Sequence, residues 1–289
     1  MDYVLHIMVI ASIYVILAMS LNLIVGFTGL PALGHAAFYG IGAYTSALLA
    51  LNFGASPWIG LIAGAITAGL LGFVISFPAL RLKGDYLALA TLGAGVIVYS
   101  IAKNWVAVTR GPMGLPGIPG FTFLGYPLDG VWAYLILVLA FVGLTTFVIG
   151  RIVNSPFGRI LKAIREDEIG TQAMGRDVNY YKVMVFMIGA AFAGVAGSLY
   201  AHYITFIDPS SFTLMESITI LLMVVFGGLG SLRGSMVGAV ILVVLPELLR
   251  FLGMPSSIAA PLRQMIYGLL LVLLMIKRPQ GLMGHYRFK

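Results

Sequence analysis

The sequence has no cysteine and little charge: Asp, Glu, Lys and Arg together make up 9% of its 289 residues. Without cysteine there is no disulfide framework, no thiolate zinc site and no thiol nucleophile, although nothing follows about the compartment. Soluble domains carry roughly 25% charged residues, so a water-soluble surface cannot be assembled from this chain. The middles of the long apolar runs contain no Asp, Glu, Lys or Arg, whereas ion-driven transporters place ionisable relays there. None of the six lysines follows a glycine, which excludes the Gly-Lys-Ser or Gly-Lys-Thr phosphate loop of an ATPase. H-E-x-x-H, G-x-S-x-G and paired carboxylates within an apolar run are also missing. His6, His35, His202 and His285 are scattered as packed or interfacial histidines would be. A membrane-embedded enzyme would lack its catalytic constellation, and neither a cofactor nor a metal is implied.

What is there is apolar: 60% of the residues are hydrophobic, with 36 glycines spread through them. Crossing a hydrocarbon core about 30 Å thick takes about 20 mostly apolar residues. Nine such runs emerge, at 4–25, 32–52, 58–79, 86–105, 131–150, 183–203, 214–232, 235–252 and 263–276, with eight to ten as the range. The first is too long for a signal-peptide core and has no basic stretch before it. The expected fold is therefore an all-α polytopic membrane protein, a single transmembrane domain over 1–289 with Gly-broken helices.

Placing the N-terminus outside and the C-terminus in the cytoplasm sends Lys103, Arg110, Arg250 and Arg263 outward and leaves the rest of the 17 basic residues inside. That is the positive-inside asymmetry. The net charge of +7 is then a topology signal, and no nucleic-acid partner is expected. Near the outer ends, Thr213 and Glu216 have the spacing of a capping box, and Glu247 and Arg250 stand one turn apart as a pair.

Two connections are long. The external one, 106–130, is dense in Gly and Pro from Gly111 to Gly120 and is either a folded cap over the mouth or, preferred, a surface loop. The cytoplasmic one, 151–182, is helical in pattern. Ser155 and Pro156 read as an N-cap and first helical residue, and Phe157, Ile160, Leu161 and Ile164 repeat on one face. A charged corner, Glu166-Asp167-Glu168, leads to a second short helix stopping near Gly175. This segment is either an interfacial helix on anionic lipid or a docking element for a cytoplasmic protein. Its four acidic residues beside six basic ones favour docking.

Glycines interrupt two apolar stretches. Over 22–44, Gly26, Gly29, Pro31, Gly34, Gly40 and Gly42 leave backbone groups free, which in lipid must be buried in protein or line a wet cavity. Asn22, Gly26, Gly29, Gly34 and His35 are the candidates for a translocation path; the alternative is a tight turn before a closely packed helix. Over 226–238, Gly230, Gly234 and Gly238 at four-residue spacing would make a flat packing face. Gly29-Leu30-x-x-Leu33 recurs as Gly228-Leu229-x-x-Leu232, a hint of internal repetition.

Four stretches carry a resemblance to a known family: SLNLIVGFTGLPALGHAAFYGIGAY at 20–44, SPFGRILKAIREDEIGTQAMG at 155–175, SFTLMESITILLMVVFGGLGSLRG at 211–234 and RPQGLMG at 278–284. Over nearly its whole length the chain resembles the permease subunits, LivM type, of high-affinity branched-chain amino acid ABC importers. One departure is Pro31-Ala32 where the family often has Leu-Ser, so no hydroxyl is available there. The resemblance implies a bacterial or archaeal inner-membrane assembly with a second related permease, two cytoplasmic ATP-binding subunits, an external solute-binding protein delivering leucine, isoleucine or valine, and surrounding lipid. It also implies that 151–182 is the segment the ATPases grip, with Gly158, Arg159, Lys162, Ala163, Arg165, Glu166, Glu168 and Gly175 as contacts. Related permeases for other amino acids, urea or short amides share much of the pattern, and a self-sufficient channel or facilitator also fits an interior without ionisable relays.

Overall fold

Helix α1 (Asp2–Asn22) runs on into a single π-helical turn, Leu23–Phe27, and the chain does not become helical again until α2 (His35–Phe53). There follow α3 (Pro57–Ala79), α4 (Asp85–Asn104), the one-turn α5 (Val106–Thr109), α6 (Val131–Asn154), α7 (Pro156–Glu166), α8 (Glu168–Ala173), α9 (Val178–Ile204), α10 (Leu214–Gly227) and α11 (Leu232–Arg250). This computed structural model describes residues 2–79, 82, 84–123, 126–127 and 130–250, and scattered positions from 265 to 284. Six helices among the described residues are long and apolar enough to cross a membrane: α1 with its π turn, α2, α3, α4, α6 and α9. Helix α10 is apolar but only 14 residues long, and α11 has 19 residues with Pro246 inside it.

Helix limits follow local chemistry. Helix α9 begins at Val178, ahead of the expected 183, because Asp177 caps it by accepting a hydrogen bond from the Tyr180 amide at 3.2 Å. Helix α10 stops at Gly227, short of the expected 232, because Gly228 turns the chain at a φ of 118°. The run expected at 263–276 lies largely outside the described residues. Leu282 and Met283 nevertheless donate backbone hydrogen bonds to Phe226 and Gly227 at 3.0 and 2.9 Å, at the end of α10.

The core is a bundle of α2, α3 and α9 packed backbone to backbone. A Cβ on Gly42 would stand 2.3 Å from the Gly194 Cα, and one on Gly194 would stand 2.5 Å from the Gly64 carbonyl oxygen. Lipid offers no hydrophobic force between helices, so close packing through small residues supplies the cohesion. Helix α1 lies alongside, and its Val9, Ile13, Ile16, Leu17 and Leu21 are fully buried. The opposite stripe of α3, Ile59, Ile62, Ile66, Leu70, Phe73 and Phe77, is exposed at helical spacing, a surface suited to hydrocarbon rather than water.

Two expectations change. The described part of the 106–130 connection is folded, not a plain surface loop: β1 (Leu115–Pro116) pairs antiparallel with β4 (Phe206–Ile207), while β2 (Thr122–Phe123) and β3 (Tyr126–Pro127) form a small hairpin. Leu115, Ile118 and Phe121 are buried, the Trp58 indole donates to the Thr122 carbonyl at 2.8 Å, and an imidazole nitrogen of His202 bonds the Pro119 carbonyl at 2.6 Å. The turn residues shape the loop, while the buried apolar residues between them fasten it to α3 and α9. The capping box at Thr213 is not made on the threonine's side: Thr213 is the N-cap of α10 without a side-chain hydrogen bond. The Glu216 carboxylate instead accepts from the Tyr14 hydroxyl of α1, because it sits at a helix contact where a phenol is the nearer donor. Glu247 accepts from the Tyr3 hydroxyl, and its expected partner, the Arg250 side chain, lies outside the described residues.

Backbone contact in the α2, α3 and α9 bundle leaves no slack for a methyl group. Gly42→Ala should lower the unfolding temperature in detergent, with a cost of about 1–3 kcal/mol. Gly93→Ala, in α4 with nothing within 4 Å of the added carbon, should leave it unchanged or raise it. Thermal unfolding of the two variants checks the contrast.

Candidate functional site

The four sequence stretches singled out above meet at one end of the bundle, the end that carries α7 and α8. Helix α7 starts as its sequence dictates: Ser155 Oγ accepts from the Gly158 amide at 3.3 Å, with Pro156 in the first turn. Leu161 and Ile164 are fully buried, and Phe157 packs on Tyr181 with ring centroids 5.2 Å apart. Asp167 forms the corner and caps α8, accepting from the Gly170 amide at 3.0 Å. The second helix ends at Gly175, whose φ is 78°. Glu168 reaches Lys182 of α9 at 2.7 Å, with side-chain exposures of 29% and 4%, so the far end of the segment is tied down by a largely buried ion pair.

The seated helix presents Arg165 and Lys162 to the break in α1. The guanidinium of Arg165 donates to the Gly26 carbonyl, and the Lys162 ammonium lies over the Phe27 ring, 5.9 Å from its centroid. Gly29, at a φ of 73°, lies against the arginine stem; a Cβ there would stand 2.9 Å from Arg165 Cγ. The π turn and the irregular stretch after it displace backbone groups from regular helix bonding. A charged donor on such a carbonyl is worth about 1.5–3 kcal/mol.

Asn22 fastens the same break to the turn between α10 and α11. Its Oδ1 accepts from the Gly230 amide and its Nδ2 donates to the Ser231 carbonyl, both at 3.0 Å, and the side chain is fully buried. Gly26 leaves the room: a Cβ there would be 1.6 Å from Asn22 Oδ1 and 2.6 Å from the Gly230 nitrogen. Gly230 itself lies in the turn, at a φ of 73°, ahead of α11. Gly234 and Gly238 face α10, where added carbons would meet the Gly227 and Met223 carbonyl oxygens at 2.5 and 2.2 Å. The C-terminal segment closes the junction, with Gly281 lying against Gly228.

On its other side the break is held by α4. The Leu33 amide donates to Thr91 Oγ1 at 3.0 Å, and a Cβ on Gly34 would lie 2.1 Å from the Thr91 carbonyl oxygen. His35 is fully buried, with Nε2 bonded to Ser20 Oγ at 2.8 Å, and its Nδ1 has no partner among the described residues.

Helix α7 is thus set against the break, and sequence comparison gives the chain's lineage. Residues 3–275 match the family described as branched-chain amino acid transport system / permease component. The chain belongs to this permease family. It is 40% identical over 294 residues to the high-affinity branched-chain amino acid transport system permease protein LivM of Escherichia coli K12, covering 94% of this chain and 68% of that one. A probable LivM permease of Methanocaldococcus jannaschii is 30% identical, covering 94% and 90%. The LivH permease of Escherichia coli K12 is 25% identical, covering 94% and 92%. No solved structure matches.

In this permease Asn22, Gly26, Gly34 and His35 are buried and Gly29 is exposed. The break therefore exists and is packed in protein. Of the segment residues named from the sequence, Arg159, Glu166 and Gly175 are exposed, Lys162, Ala163, Arg165 and Glu168 are half-buried, and Gly158 is turned inward, where a Cβ would meet the Val153 carbonyl oxygen at 2.3 Å. Ile169 of α8 and Met174, the C-cap of that helix, are 71% and 70% exposed; charge patterning overlooked them, although apolar residues in a polar loop were the available signal. The links through Thr91 and Ser231 left no local mark in the sequence.

Removing one partner of the Glu168–Lys182 pair leaves a charge stranded. Glu168→Gln should destabilise the α8 to α9 junction by about 3 kcal/mol, seen as faster proteolysis within 166–182. Glu166→Gln, at an exposed position, should not change the cleavage rate.

Proposed function

We propose that the chain is the permease subunit of an ATP-driven importer of branched-chain amino acids, leucine, isoleucine and valine, working by alternating access in the cytoplasmic membrane. Its N-terminus lies outside, it crosses nine times, and α7 and α8 form a cytoplasmic coupling segment. A second related permease stands beside it, two cytoplasmic ATP-binding subunits grip residues 151–182, and an external solute-binding protein delivers the substrate. The observation that carries this reading is the hydrogen bond from Arg165 on α7 to the Gly26 carbonyl in the broken first helix. It gives a force on the loop a direct route into the transmembrane bundle. The relatives' names support the substrate class, and the clustering of Arg151, Arg159, Lys162, Arg165 and Arg176 at one end supports the orientation.

In this arrangement α7 is the lever, its buried face held by Leu161 and Ile164, and the exposed Arg159, Glu166, Ile169 and Met174 are the surface offered to the ATPase. Asn22 passes the displacement from the broken helix to the α10–α11 turn. Energy arrives from the partners, in keeping with a chain that has no phosphate loop of its own.

Arg165→Ala should reduce ATP-dependent leucine uptake by the reconstituted complex at least tenfold while ATP hydrolysis and subunit co-purification persist. Arg165→Lys, which keeps the charge but loses the planar fork, should fall between. Wild-type uptake in Arg165→Ala would contradict the lever. Leucine entry into liposomes holding the purified chain alone would favour a self-sufficient facilitator.

A further inference from the structure

Helices α3 and α9 meet along a seam of small residues, where a Cβ on Gly72 would stand 2.7 Å from the Ala190 Cβ. Beside that seam the surface sinks into an open groove of about 360 Å³. Ala65 and Gly69 of α3 and Ala191 of α9 are too small to fill it, while Ile66 and Leu70 border it from one helix and Met184 and Met187 from the other. An apolar cavity of roughly 150 Å³ already holds benzene, so the space takes a run of several methylenes. The unbranched methionines adapt to a guest of variable shape.

Two observations say what covers it. Ile66 and Leu70 are 57% and 54% exposed and belong to the stripe of α3 that faces hydrocarbon, so the groove continues a lipid-facing surface. Every side chain in its lining is apolar, and a polar guest would lose its hydrogen bonds there. On the α9 side, Met184, Met187 and Ala191 continue at helical spacing back to Tyr180 in the first turn, which is 54% exposed. Tyrosine at the end of a membrane helix sits at headgroup level. Arg176, four residues earlier, is also exposed and has no ion pair among the described residues, and its neighbour Asp177 is committed to capping α9. An apolar trough that runs toward a phenol and a guanidinium matches an acyl chain carrying a phosphate.

We propose that this groove seats one acyl chain of a phospholipid from the leaflet on the α7 and α8 side, with its phosphate near Tyr180 and Arg176. Seated there, the chain packs against both α3 and α9 and holds them together from outside. The site is separate from the coupling segment and does not depend on which substrate the permease carries.

The test fills the groove. Gly69→Leu does so while keeping the fold, because its Cβ would meet the Met187 carbonyl oxygen at 3.4 Å, an ordinary contact. Ala65→Leu does so from a second position, and Gly143→Leu, on α6 with nothing within 4 Å of the added carbon, is the control. The chain is purified in mild detergent with whatever subunits accompany it. Retained phospholipids are counted by native mass spectrometry, and the unfolding temperature is followed as phosphatidylglycerol is added. Wild type and Gly143→Leu should each retain one phospholipid more than the two groove variants, and should gain several degrees more from phosphatidylglycerol. Dioleoylglycerol, which has the acyl chains without the phosphate, should raise the wild-type temperature less. Equal retention in all four proteins would overturn the proposal. Loss of a protein subunit rather than of lipid from Gly69→Leu would also overturn it, by making the groove a seat for that subunit. An equal rise with dioleoylglycerol would overturn the phosphate contact.

Discussion

A peptide group freed from helical bonding inside a bilayer has no water to turn to, and the protein must satisfy it. That constraint governs the break after α1. The π turn and the non-helical stretch to Gly34 release backbone groups; some find local partners, as the Gly29 and Leu30 amides do in the Val25 and Ile24 carbonyls, while the Leu33 amide takes Thr91 of α4, the Gly26 carbonyl takes Arg165 of α7, and Asn22 bonds the α10–α11 turn. Satisfying the break therefore ties four elements into one unit. A continuous helix would have needed none of these links.

The rest of the bundle is arranged to hold still around that unit. Helices α2, α3 and α9 touch through Gly42, Gly64 and Gly194 at distances that admit no side chain, so they resist sliding past one another. Helix α4 is different. Leu87 and Thr91 are its buried residues, and the rest of its length is exposed or half-buried in this chain taken alone. Close approach of α2, α3 and α9 explains why Gly42, Gly64 and Gly194 stand where their backbones meet.

Much of this was legible in the sequence because it was local. Ser155-Pro156 set the start of α7, Gly175 set the end of α8, and the glycines from Gly26 to Gly34 marked an interruption, either a broken helix or a tight turn. Where the outcome depended on partners far along the chain, the sequence misled or was silent. Thr213 and Glu216 had capping spacing, yet the carboxylate went to Tyr14. The Gly- and Pro-rich loop looked like surface, yet Leu115, Ile118 and Phe121 carried it inward against α3 and α9. Gly230 kept the register of Gly234 and Gly238 in sequence but sits in the turn before α11, because the helix starts only at Leu232. Nothing near Asn22 or Arg165 foretold their partners, which lie in segments that folding alone brings together.

The central claim is that α7 and the junction beneath it move as one body. Absence of cysteine makes it directly measurable with spin labels, using otherwise cysteine-free partner subunits. One pair, Arg159→Cys with Leu282→Cys, spans α7 and the segment bonded to the end of α10; a second, Arg159→Cys with Met113→Cys, spans the two ends of the molecule. On adding ATP to the complete transporter, the account predicts an unchanged distance in the first pair and a shifted one in the second. A first pair that separates while the second stays fixed would contradict it.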